Sequence, residues 1–159
     1  MFVSVGTNVE RETNLRSAIA ALQHRFGELR ISPAYESPAE GFDGAPFYNL
    51  VVMLHSSEPV ERIAAALKQI ERDHARQPAD GKFASRTLDL DLLTYGDVCM
   101  QLDGFELPRA DILRYAFVLR PLADLAPEAA HPRSGLSYRA HWQAFEGPAD
   151  LQPVALTFR

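Results

Sequence analysis

Two aspartates one residue apart, Asp89 and Asp91, lie within the run Lys82–Tyr95, KFASRTLDLDLLTY. From Leu88 the run alternates and then turns wholly apolar, the pattern of a strand with one buried face. Strand side chains have a period of two. Leu88, Leu90 and Leu92 therefore point one way and Asp89 and Asp91 the other, with their Cα atoms about 6.6 Å apart along the strand. Asp is depleted in strands, and aligned carboxylates repel unless something positive sits between them. Lys82 and Arg86 stand just upstream among small residues. A basic segment running into an Asp-x-Asp strand suits an anionic substrate held through Mg²⁺, a hard cation that prefers oxygen ligands. A solvated strand face carrying two incidental acids is the alternative. The metal reading accounts for the acids, the arginine and the leucines falling together in one short run.

The elements that must position this run are read from the rest of the chain. Phe2–Val5 reads as a buried strand ending at Gly6-Thr7-Asn8, where Gly6 lets a ligand or a neighbouring strand approach closely. A helix is expected from about Thr13 to Phe26, with Leu15, Ala18, Ile19, Leu22 and Phe26 on one stripe and Gly27 as its stop. Leu29–Glu36 is a strand candidate that Pro33 confines to an edge or breaks. Ser37–Pro46, SPAEGFDGAP, is a loop of the kind that carries binding residues. Phe47–Leu54 is a central strand with Phe47, Asn49, Val51 and Met53 on one face. Asn49 stands out, because a polar amide in an apolar strand needs partners, whether a ligand or nearby backbone.

A second helix begins at Pro59 and runs to about His74, with Val60, Ile63, Ala64, Leu67 and Ile70 facing the core. Lys68, Glu71 and Arg76 fall near its end. Ala75–Ser85 loses all periodicity, giving a basic loop that either closes over a substrate or merely connects. After the Asp-x-Asp strand, Gly96-Asp97 predicts a turn and Val98–Leu102 a returning hairpin partner. Leu107-Pro108-Arg109 reads as extended, and Phe117–Leu125 as a short helix carrying Pro121. Residues 130–159 are polar with scattered aromatics, and the sequence assigns them no role. The order strand, helix, strand, strand, helix, strand is the split βαβ arrangement. The expected fold is therefore α+β: a ferredoxin-like two-layer sandwich with an antiparallel sheet, an added hairpin and a C-terminal segment. That fold alone decides no function.

Composition narrows the classes. The chain has 159 residues, 47% of them hydrophobic, which suits one domain with a proper core. With 16 basic against 21 acidic residues and a net charge of −5, neither a nucleic-acid surface nor a membrane surface is implied. The single cysteine, Cys99, excludes an internal disulfide, and the five histidines lack metal-binding spacing. The first apolar run, Met1–Val5, is too short for a signal peptide. A cytoplasmic, monomeric protein is the expectation.

With these residues laid out, the chain resembles the 6-hydroxymethyl-7,8-dihydropterin pyrophosphokinase family of the folate pathway. The family's run is a basic residue, any residue, two small residues, Arg, two residues, Asp-aliphatic-Asp and two aliphatics. Lys82-Phe83-Ala84-Ser85-Arg86-Thr87-Leu88-Asp89-Leu90-Asp91-Leu92-Leu93 satisfies every position. The resemblance extends through Ser4–Asn8, Tyr35–Pro38, Phe47–Asn49 and Phe117–Leu122, covering residues 1–128. It implies transfer of the β,γ-pyrophosphoryl unit of ATP to the hydroxymethyl group of the pterin, leaving AMP. By resemblance, Asp89 and Asp91 hold two Mg²⁺ ions, and Arg76 and Arg86 stabilise charge on the transferred group. Phe47 and Phe117 sandwich the pterin. Asn49 reads its edge beside the backbone of Ser37, Pro38 and Glu40, close to Gly6. Lys68, Glu71, Lys82, Phe83 and the backbone of Leu92 lie on the nucleotide side.

The chain also departs from the family. Arg109 replaces a usual His after the Pro, Tyr115 a common Arg, and Pro78 and Gly104 basic residues; the lid aromatic is Phe83 rather than Trp. These fall mainly on the ATP side. Arg109 is expected to take over the missing phosphate contact and to serve the nucleotide. A paralogue that binds a pterin-like ligand with altered or lost use of ATP is the alternative that the departures leave open.

Overall fold

The computed structural model describes residues 1–41, 43–75, 88–102 and 104–158. The first half of the chain builds one sheet with two helices on its back. Strand β1 (Phe2–Thr7) leads into helix α1 (Arg11–Phe26), then come the short β2 (Arg30–Ile31), β3 (Ala34–Ser37) and β4 (Phe47–Met53). Helix α2 (Val60–Ala75) and strand β5 (Asp89–Thr94) complete the sandwich. The path across the sheet is β5-β1-β4-β3-β8, every pairing antiparallel, with β2 also on β4. Helix α1 starts two residues earlier than its apolar stripe predicts.

The expected strand over Leu29–Glu36 is broken where Pro33 stands. Ser32 repairs the gap: its N–H donates to the Val51 carbonyl at 2.9 Å, and its hydroxyl accepts the Val51 N–H at 2.9 Å. The proline thus removes a donor without leaving β4 unpaired.

One expected pairing is corrected. Met100–Leu102 (β6) does not return along the Asp-x-Asp strand; it pairs with β7 (Phe105–Leu107) in a separate two-stranded sheet. The cause is the turn chemistry at Gly104. Gly104 adopts φ 70°, a left-handed backbone that favours glycine, and so closes the hairpin one strand further on. Strand β5 remains the sheet's end on that side, packed by α2.

The C-terminal quarter supplies a second helical layer on the other face. Short α3 (Asp111–Arg114), α4 (Ala116–Leu125) and α5 (Tyr138–Gln143) cover that face beside Val51 and Leu93. The core is accordingly split by the sheet. Val3, Val5, Leu50, Val52, Leu90 and Leu92 pack with α1 and α2, while Val51, Leu93, Leu119 and Leu122 pack on the α4 side. Strand β8 (Gln152–Val154), near the C-terminus, adds to β3 with Tyr35 opposite Pro153. Arg16 of α1 anchors the residues beyond β8, donating to the Thr157 carbonyl at 2.7 Å.

Candidate functional site

Alternation along three neighbouring strands brings the polar residues to one place. In β5 and β1, Asp91 lies opposite Ser4 and Asp89 opposite Gly6. In β1 and β4, Gly6 lies opposite Asn49 and Ser4 opposite Val51. Residues opposed across antiparallel strands share a face. Asp89, Gly6 and Asn49 therefore form one row, and Asp91, Ser4 and Val51 the next. Helix α4 covers the lower part of this face and leaves the upper part open. There a cleft of about 210 Å³ is lined from the sheet by Ser4, Val5, Gly6, Ser37, Phe47, Asn49 and both aspartates, and by Pro38, Glu40, Asp111, Phe117 and Val118.

Asn49 is oriented by the protein. Its amide Nδ2 donates to Ser37 Oγ at 2.8 Å, and both residues are buried, 6% and 5% exposed. That contact fixes which way the amide faces. Gly6 makes room for it, since a Cβ at position 6 would stand 2.8 Å from Asn49 Oδ1 and 3.8 Å from the Phe47 ring. Gly6 serves a neighbouring strand's side chain here, one of the two uses its position suggested. On the far wall Phe117 stacks on Tyr115, with centroids 5.0 Å apart and planes 18° apart. Tyr115 thereby backs the Phe117 wall of the cleft. Pro121 lies inside α4 and has no N–H for the Phe117 carbonyl four residues earlier.

The opposite end of the cleft is acidic. Burial pushes the Asp91 carboxyl above the usual range, Arg109 pulls it back, and the charges of Glu71 and Asp111 push it further up. Arg109 Nη2 is 3.7 Å from Asp91 Oδ1, and Arg109 Nε is 3.4 Å from Asp111 Oδ2. The segment carrying Arg109 is docked by a bulge. The β1–β5 register slips between Phe2 and Val3, passing over Leu93, and the Leu93 carbonyl accepts the Arg109 N–H at 2.9 Å. An all-oxygen donor set on one strand face, carrying a carboxyl lifted by burial and like charge, fits a hard divalent cation.

Other predicted residues lie behind and beside β5. Glu71, 13% exposed, accepts the Leu90 N–H at 2.7 Å and has Lys68 Nζ at 3.4 Å. The Leu90 N–H thus points outward from the end strand. By the same alternation, so do the backbone groups of Leu92, whose side chain is buried in the α1–α2 core. Arg76, Pro78, Lys82, Phe83 and Arg86 lie outside the described residues. Among those described, the fold gathers Gly6, Ser37, Pro38, Glu40, Phe47, Asn49, Asp89, Asp91 and Phe117 in one cleft, with Arg109 at its acidic end. Lys68, Glu71 and Leu92 belong to the β5 edge and do not line it. Sequence reasoning missed Ser4, Val5, Asp111 and Val118. Strand alternation from Gly6, which the resemblance had already put at the site, points to Ser4 as well, whereas nothing local marks Asp111.

A family model described as 7,8-dihydro-6-hydroxymethylpterin-pyrophosphokinase matches residues 2–127. The chain is similar to the 2-amino-4-hydroxy-6-hydroxymethyldihydropteridine pyrophosphokinase of Pseudomonas aeruginosa, 34% identical over 137 residues and covering 83% of each protein. It is 29% identical over 157 residues to the folic acid synthesis protein fol1 of Pneumocystis carinii, covering 97% of this chain and 21% of that one. Among solved structures, a Plasmodium falciparum HPPK-DHPS triple mutant superposes with a TM-score of 0.75 at 13% identity. That match covers 91% of this chain and 44% of the other, and it speaks for the fold. The chain therefore spans about a fifth of the fungal relative and under half of the solved one, but most of the bacterial relative.

Proposed function

This chain belongs to the 7,8-dihydro-6-hydroxymethylpterin-pyrophosphokinase family, and on that premise we propose that it moves pyrophosphate from ATP onto 6-hydroxymethyl-7,8-dihydropterin in folate synthesis. The chain is a pyrophosphokinase, with ATP as its co-substrate. The pterin hydroxymethyl oxygen attacks the β-phosphorus, the bond to the α-phosphate's bridging oxygen breaks, and AMP leaves. The protein's work in such a transfer is mostly positioning and charge neutralisation.

The observation that carries this reading is Asn49. Its amide is turned by Ser37 and set in one cleft with the rings of Phe47 and Phe117, with two aspartates across β1 on β5. A flat heterocycle with a hydrogen-bonding edge needs apolar walls and a fixed amide at its rim. The phosphate chain of ATP needs the acidic end. Asp89 and Asp91 would hold two Mg²⁺ ions, which when bound offset the charge of the phosphates. Arg109, already beside Asp91, offers its guanidinium to the same phosphates. Arg76, Arg86, Lys82 and Phe83 are assigned to the nucleotide and the transferred group by resemblance, as are Lys68, Glu71 and the backbone of Leu92.

Calorimetry with a non-hydrolysable ATP analogue tests the nucleotide half of this reading. Binding that requires Mg²⁺ and is lost in Asp91→Asn is the expected result. Equal binding with and without Mg²⁺ would remove the aspartate pair from the site.

A further inference from the structure

The pterin side of the cleft is held from behind by residues outside it. Arg11, the first residue of α1, pairs through Nη1 with Glu36 Oε2 at 2.6 Å and donates to the Pro46 carbonyl at 3.3 Å. Its guanidinium lies 4.0 Å from the centroid of the Tyr48 ring. Glu36 and Tyr48 are directly opposed across β3 and β4. The opposed pairs on either side of them are Ser37 with Phe47 and Tyr35 with Asn49. Because side chains alternate, Ser37, Phe47 and Asn49 face the cleft while Glu36 and Tyr48 face back. Arg11 thus grips the reverse of the strand pair whose front presents the recognition residues. It also touches the chain at both ends of the Ser37–Pro46 connection.

A second contact acts at the closing end of that connection. Asn8, 6% exposed, donates Nδ2 to the Ala45 carbonyl at 3.1 Å. Among the described residues its Oδ1 is buried and has no partner. A buried amide left half unpaired is costly, and the bond it does make fixes the residue two before Phe47. Glu10, between Asn8 and Arg11, takes a left-handed φ of 39°, a strained backbone for a residue with a side chain. The turn from β1 into α1 is shaped so that both side chains reach the same segment.

We propose that Arg11, assisted by Asn8, is a positioning residue for the pterin: it fixes Ser37 against Phe47 and so sets the slot in which Asn49 and Phe47 meet the ring. The inference rests on the cleft's pterin side being where the ring binds. The opposed pairs Ser37–Phe47 and Glu36–Tyr48 are successive rungs, so a shift of one moves the other. The nucleotide end, on β5 and the Arg109 segment, is two strands away and does not share these contacts.

The test uses the full chain. Wild type, Arg11→Ala, Arg11→Lys and Phe47→Ala are titrated with the fluorescent pterin and, separately, with Mg²⁺ and a non-hydrolysable ATP analogue. Melting temperatures are recorded alongside. Arg11→Ala is expected to weaken pterin binding about tenfold and to leave nucleotide affinity within about twofold. Arg11→Lys keeps a charge for Glu36 but loses the planar stack on Tyr48, and recovers part of the loss. Unchanged pterin affinity in Arg11→Ala overturns the proposal. So does a loss shared equally by both ligands that follows the melting temperature, which is a purely structural effect. If Arg11→Ala does not fold, Glu36→Gln, which weakens the same contact, carries the test with a smaller loss confined to the pterin. Phe47→Ala separates the two readings. Intact pterin binding there refutes the cleft assignment itself, whereas weakened binding there with no effect of Arg11→Ala refutes only the clamp.

Discussion

Arg109 Nη2 stands 3.7 Å from Asp91 Oδ1, so this arginine already shares the acidic end of the cleft with an aspartate. The guanidinium is divided between Asp91 and Asp111, and its backbone is pinned to Leu93. A cation on Asp91 would release it toward incoming phosphates. Arg109→Ala should weaken ATP-analogue binding roughly tenfold, since a hydrogen bond to a charged group is worth about 1.5–3 kcal/mol. Pterin affinity should hardly change. Divalent cation binding without nucleotide should not fall, because the substitution removes a competing positive charge. Arg109→His should restore part of the nucleotide affinity. Calorimetry with each ligand separates these outcomes; equal nucleotide affinity in wild type and Arg109→Ala would make Arg109 a bystander.

Asp91 is predicted to trade stability for function. Its carboxyl is pushed above the ordinary range, chiefly by burial. A carboxyl raised in the fold favours its neutral form there, so stability is highest below the unfolded value and is lost as pH rises through the folded one. At neutral pH the charged group therefore opposes folding. Asp91→Asn should raise the melting temperature of the Mg²⁺-free protein while abolishing turnover. An unchanged or lower melting temperature would show that Arg109 outweighs the burial.

Gly6→Ala tests the fixed amide. The added Cβ would meet Asn49 Oδ1 at 2.8 Å, so either the amide turns away from its contact with Ser37 or the strands part. A cost of about 1–3 kcal/mol in stability is expected for such overpacking, together with weakened pterin binding. Chemical denaturation and pterin titration measure the two effects. Unaltered pterin affinity would mean that the orientation of Asn49 is not what the ligand reads.

His131 is expected to make the fold sensitive to mild acid. It is 5% exposed, and its Nδ1 accepts the N–H groups of Arg133 and Ser134 at 3.2 Å each. Burial lowers its pKa from 6.5, and the charges of His141 and Arg133 lower it further. A base depressed in the fold leaves stability whole above its unfolded value and removes it progressively as pH falls below about 6.5. Melting temperature should fall between pH 7 and 5.5, above most carboxylate titration, and His131→Asn should flatten that slope. A slope unchanged in the variant would assign it to other groups.

Much of the cleft is legible in the sequence. Alternation alone puts Asp89 and Asp91 on one face, and Phe47 with Asn49 on one face of another strand. The antiparallel order brings the two faces together. What local pattern does not reach is long-range pairing. Strand β8 is three residues long and holds Pro153, yet it pairs because the edge of β3 lies open to it. A return of Val98–Leu102 along β5 is the natural expectation from Gly96-Asp97, but Gly104 supplies a tighter turn with Phe105–Leu107. Asp111 enters the site only because the bulge at Leu93 docks the Arg109 segment, a register effect with no local signature. Arg11, which local pattern marks only as a residue before a helix, reaches the back of the β3–β4 pair through its length, touching three residues at least 25 positions away.

Pyrophosphoryl transfer to the pterin in this cleft is directly measurable. The direct measurement incubates the protein with Mg²⁺, 6-hydroxymethyl-7,8-dihydropterin and ATP labelled in its β-phosphate, and separates the products by chromatography. Stoichiometric AMP without label and a pterin ester that carries it are expected, with both lost in Asp89→Ala. ADP as the nucleotide product, or label that never reaches the pterin, would contradict the transfer.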